Sequence, residues 1–147
     1  MEKMKFTASI NAPRKKVWET LWNDASYRKW TSAFMEGSYA ITDNWKEGTK
    51  VLFLGPDGRG MVSTVAANKP NEYMSFEHLG EVKDGVEDTT SEKVKGWAGA
   101  HENYSLSEQN GVTNLVVDMD VNDDFKDYFM NAWPKALDEL KRLAENN

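Results

Sequence analysis

Phe6, Ala8 and Ile10 alternate with Thr7 and Ser9, the period-two pattern of a half-buried strand. The spacing then becomes helical. Asn11 can cap a helix whose first turn holds Pro13, where a missing N–H is harmless, and Val17, Trp18, Leu21 and Trp22 share its apolar side. A second short helix begins near Asp24 and presents Tyr27 and Trp30. Between residues 35 and 121 strand spacing returns, predicting strands over 35–41, 50–54, 60–67, 72–79, 101–107 and 113–121. Trp45-Lys46-Glu47-Gly48, Gly55-Pro56-Asp57-Gly58, Asn68-Lys69-Pro70-Asn71 and Asn110-Gly111 separate them and favour turns through fixed or positive φ, so the strands read as a meander of antiparallel hairpins. Residues 81–96 are polar and charged and predict a long, exposed, mobile loop.

Alternation also assigns faces. Met74, Phe76 and His78 point inward on one strand, Tyr104 and Leu106 on the next, and Leu115, Val117, Met119 and Val121 on the last. A sheet with one apolar face needs a cover. The end of the chain supplies it: after Asn122 or Asp123 as cap, Phe125, Phe129, Ala132, Trp133, Ala136, Leu137, Leu140 and Leu143 form one helical stripe. Pro134 frees the carbonyl of Met130 and predicts a kink near the middle of that helix. The fold class is α+β, with a curved antiparallel sheet of about seven strands, two short helices after the first strand, and a long C-terminal helix on the concave face.

Composition narrows the function classes. A length of 147 residues predicts one domain, 1–147. The 18 Lys and Arg against 24 Asp and Glu leave a net charge of −6, and the basic residues do not cluster, so no nucleic-acid partner is expected. Cysteine is absent, which removes disulfides, thiolate nucleophiles and Cys-ligated metals. No apolar signal core or membrane-length stretch is present, so no membrane insertion is expected and a cytoplasmic location is the simplest reading.

Two histidines are the first candidates for acid–base work, because imidazole titrates near neutral pH. His78 reads as a cavity-lining residue and His101 as outward. Together they are a poor set for zinc, and no metal or other cofactor is expected. Asp118-Met119-Asp120-Val121-Asn122 starts like a calcium loop, but Asp123 replaces its turn Gly and Phe129 its bidentate Glu. Gly55 to Gly60 lacks the Gly-Lys-Ser/Thr ending of a phosphate loop. What remains is aromatic: Trp30, Phe53, Phe76, Trp97, Tyr104, Phe129 and Trp133. Such rings fill a core or line the wedge between a bent sheet and a helix. The expected pocket is lined by Trp30, Phe53, Phe76, His78, Tyr104, Phe129, Met130 and Trp133, with Ser63, His78 and Tyr104 as polar handles, and no catalytic residue is assigned.

The chain resembles the START-like (SRPBCC) superfamily of the birch-pollen-allergen, helix-grip kind, and within it bacterial homologues of the activator of heat-shock-protein-90 ATPase. The resemblance rests on Ile10-Asn11-Ala12-Pro13 followed by Val17-Trp18, the segment around Trp30, Gly96-Trp97 with Gly99-Ala100, Glu102, Tyr104 and Leu106, Gly111-Val112-Thr113 with Leu115, and Ala136-Leu137 with Leu140-Lys141. It spans nearly the whole chain, and beside the binder of a small hydrophobic or amphipathic ligand that the wedge and the absence of a catalytic set suggest, it implies two alternatives: a stress-response partner of a chaperone, or an enzyme like the polyketide cyclases and dehydratases, with His78 or Tyr104 acting on the ligand. Fold alone does not choose among them.

Overall fold

The structure is a computed structural model and describes residues 1–146. Strand β1 (Glu2–Ile10) is followed by helices α1 (Arg14–Trp22) and α2 (Asp24–Trp30) and a 3₁₀ turn, Thr31–Ala33. Strands β2 (Tyr39–Thr42), β3 (Lys50–Leu54), β4 (Gly60–Lys69), β5 (Tyr73–Lys83) and β6 (Val86–Asp88) precede the short helix α3 (Glu92–Lys95). Strands β7 (His101–Gln109) and β8 (Val112–Val121) lead through a second 3₁₀ turn, Asp123–Phe125, into α4 (Lys126–Glu145). The sheet order is β1-β8-β7-β5-β4-β3-β2, with β6 added beside β5 and every pairing antiparallel.

One face of the sheet is covered by α4, whose Ala132, Trp133, Ala136, Leu137, Leu140, Leu143 and Ala144 are buried. All of these but Ala132 join a core with Ile10, Val17, Leu21, Met74, Phe76, Leu115 and Val117. Every residue assigned inward by alternation on β5, β7 and β8 is buried. Irregular register bends the sheet. Val62 pairs with Gly80 and Ser63 with His78, leaving Leu79 as an extra residue, and Ala66 is the extra residue between Val65 and Ala67. Such bulges increase local twist and re-aim side chains.

Several boundaries differ from the sequence expectation. Residues 35–38 form a turn closed by the Ser38 N–H donating to the Met35 carbonyl at 3.1 Å, with Gly37 at φ 87°, so β2 begins only at Tyr39. Asn11 does not cap α1: its backbone N–H donates to Glu145 Oε2 at 2.8 Å, and the helix starts after Pro13 without a side-chain cap. Asn122 does cap, but caps the 3₁₀ turn by accepting from the Asp124 N–H at 3.1 Å. That turn leaves Phe125 out of the buried stripe, 54 % exposed. Helix α4 runs unbroken through Pro134.

The expected loop at 81–96 is the largest correction. Strand β5 runs on to Lys83, turns through Asp84 (φ 53°) and Gly85 (φ 78°), and returns as β6. Helix α3 follows, capped by Ser91 Oγ accepting from the Val94 N–H, and Val94 is fully buried. Two buried valines, Val82 and Val94, anchor the segment where composition suggested little apolar area.

Candidate functional site

A cleft of about 640 Å³ opens between the sheet, α2 and the first half of α4. Its wall includes seven of the eight expected residues: Trp30, Phe53, Phe76, His78, Tyr104, Phe129 and Trp133. Met130 is not among them. Helical geometry turns it about 100° from Phe129, and it is 55 % exposed on the outer side of α4. The mouth carries Met1, Met35, Phe125 and Tyr128, all exposed, and the Tyr128 hydroxyl donates to the Phe34 carbonyl.

Packing holds the wall in place. Trp133 lies near Phe34 at a ring-centroid distance of 4.8 Å and Phe6 at 5.8 Å, and its Nε1–H donates to Met119 Sδ at 3.1 Å. Trp30 Nε1–H donates to the Leu21 carbonyl at 3.1 Å, fixing α2 against α1. Trp22 packs edge-on to Tyr104 at 4.9 Å and to Phe76 at 5.5 Å, while its own Nε1–H is buried without an acceptor.

Within this aromatic wall runs one polar chain. Ser63 Oγ lies 2.7 Å from His78 Nδ1, and His78 Nε2 lies 3.1 Å from Glu102 Oε1. Tyr104 donates its hydroxyl to the other Glu102 oxygen. An assignment that fits these distances has Ser63 donating to Nδ1 of a neutral imidazole and Nε2–H donating to the Glu102 carboxylate. The bulge at Val62/Ser63 sets Ser63 opposite His78, whose backbone also bonds to Gly99 N–H and the Ala100 carbonyl at 2.8 Å each. Burial raises the Tyr104 phenol well above its ordinary pKa, and the charge of Glu102 pushes it the same way. Tyr27, also in the wall, is raised by burial first and by Glu102 second. Among the described residues no group of three His, Cys, Asp or Glu side chains gathers as a metal site.

Sequence reasoning missed Glu102 as a site residue although its signal is plain in the alternation. It shares the parity of Tyr104 and Leu106 and therefore their inward face, yet carboxylates are usually placed outside. Trp22, Tyr27 and Phe34 also line the cleft. Of the aromatic group, Trp97 lines it, half-buried.

A bent antiparallel sheet gripping a C-terminal helix, with a cleft between them, defines the START-like helix-grip class. Residues 11–145 match the family described as Activator of Hsp90 ATPase homolog 1-like protein, and the chain belongs to that family. A search of curated proteins finds no significant match. Among solved structures, the chain is similar to the Aha1 dimer from Colwellia psychrerythraea, at 19 % identity and a TM-score of 0.73, covering 99 % of this chain and 97 % of that one. Protein MLL2253 from Mesorhizobium loti aligns at 15 % identity and a TM-score of 0.72 over 99 % of this chain and 98 % of that one. CalU16 from Micromonospora echinospora aligns at 16 % identity and 0.66, over 97 % and 75 %. At these identities the likeness concerns the fold.

Proposed function

We propose that the protein binds a small hydrophobic or amphipathic molecule in the cleft between sheet and α4. The observation that carries this reading is the cleft itself, about 640 Å³ with an aromatic wall and one polar chain. That volume falls in the range of small-molecule sites, roughly 300–1,000 Å³, and far exceeds a packing defect the size of one or two waters. A few convergent polar groups on an otherwise apolar wall are what orients an amphipathic ligand. Trp22, Trp30, Trp97 and Trp133 in the wall make tryptophan fluorescence a direct reporter. Titration with fatty acids, sterols and aromatic polyketides is expected to give a saturable change with at least one class. No saturable change with any of them would overturn the reading.

A second reading, a partner of an Hsp90-type chaperone, is supported by the family description and by the likeness to the Colwellia Aha1 dimer. Adding the protein to a bacterial Hsp90 homologue and measuring ATP turnover tests it. A concentration-dependent rise supports the partner role, and an unchanged rate removes it.

A further inference from the structure

The charge on the cleft wall bears on which head group it accepts. Glu102 is the charged side chain of the buried wall, 16 % exposed, and His78 beside it is 7 % exposed. We take Ser63 as the donor to His78 Nδ1, an assignment that leaves the imidazole neutral and gives Glu102 a hydrogen bond but no positive charge. Tyr104 gives it a second hydrogen bond, again from a neutral group. Among the described residues no lysine or arginine pairs with this carboxylate. Two oxygens offer about four lone-pair positions, of which two are filled.

The surroundings are equally one-sided. The rings of Trp22, Phe76 and Tyr104 pack together beside Glu102 with centroid separations of 4.9–6.1 Å. Aromatic faces attract organic cations, most strongly where water is excluded. Burial first, and the negative charge of Glu102 second, push the Tyr27 and Tyr104 phenols up, and a second anion placed here would meet the same repulsion from that carboxylate. Charges at the rim are of both signs: Lys93 pairs with Glu81 at 3.2 Å, Arg59 with Asp57 at 3.8 Å and Lys3 with Asp120 at 3.5 Å. Lys83 adds one more cation to this rim, but these charges lie in water and are screened, while the buried carboxylate is not.

We infer that the cleft selects amphipathic molecules whose head group is a protonated amine, held at Glu102, with the tail against Phe34, Phe129 and Trp133. The inference rests on the proposed ligand role of the cleft. Three probes with one tail separate the two: decylamine, decanol and decanoate, titrated by tryptophan fluorescence below their aggregation concentrations at about 0.15 M salt, where surface attraction fades beyond about 8 Å. Decylamine is expected to bind at least about tenfold more tightly than decanoate, the scale of one charge-assisted hydrogen bond. Glu102→Gln keeps the shape and should collapse that ratio towards one, weakening decylamine far more than decanol. Decanoate binding as tightly as decylamine to the unaltered protein would overturn the head-group assignment and leave the cleft reading standing. So would an amine preference that survives Glu102→Gln, since it would come from net surface charge. Binding of none of the three would overturn both.

Discussion

Trp133 is held by rings on several sides, with Phe34, Phe6, Tyr104 and Trp30 at centroid distances of 4.8–6.2 Å. It is both core and cleft wall. Trp133→Ala should therefore destabilise the fold by about 3–5 kcal/mol, measured by urea unfolding. A loss near the surface level of about 0.5 kcal/mol would mean the ring is not packed as described. Tyr27 and Tyr104 give a pH signature. Both phenols have folded pKa values raised above the unfolded value near 10, by burial first and by Glu102 second. Their contribution to stability is fully present below pH about 10 and is lost as pH rises through the folded values, because the unfolded chain releases these protons first. Stability should fall at alkaline pH, and phenolate absorbance for two tyrosines should appear only with unfolding. If all five tyrosines ionised near pH 10 in the folded protein, the buried environment would be wrong. The inward aromatic residues were legible from alternation alone, since period two leaves no freedom once one large residue is placed. Glu102 obeyed the same rule and was passed over because burial of a carboxylate depends on partners, and His78, 24 residues away, is one that sequence order does not bring to it.

Among the elements, the helices and most hairpins follow from local chemistry, as at Asn110-Gly111, where φ values of 55° and 79° suit Asn and Gly. Asp84-Gly85 carries the same signal and makes the same turn. It was hidden by the polarity of the residues around it. What secures the segment is tertiary: Val94 is buried against the sheet, and Gly80 lets the Asp88 carbonyl approach so closely that an added Cβ would lie 2.1 Å from it. Val94→Ala should cost about 1–2 kcal/mol, from the loss of two buried methyl-sized groups. Gly80→Ala should raise amide hydrogen exchange across residues 84–95 by forcing β6 away. Rapid exchange of this segment in the unaltered protein would restore the picture of a mobile loop.

For the whole molecule, the one-sided strands and the striped terminal helix require each other, which is why the grip of sheet on helix could be expected before any coordinate. The shape of the gap between them could not. It depends on the bulges at Val62/Ser63 and Val65/Ala67, on the late start of β2, and on the 3₁₀ turn that swings Phe125 to the mouth. Among the described residues no helix is long and apolar enough to cross a membrane. The cleft is thus the feature on which the functional account stands, and binding there has a distinct spectroscopic outcome. Two-dimensional NMR of the protein titrated with decanol, which carries no charge, tests it most directly. The account predicts saturable shifts of the Trp30 and Trp133 indole N–H signals and of the Tyr104 and Phe129 amides, with Met130 and the outer face of the sheet little changed. Absence of saturable shifts, or shifts confined to residues outside the cleft, would contradict it.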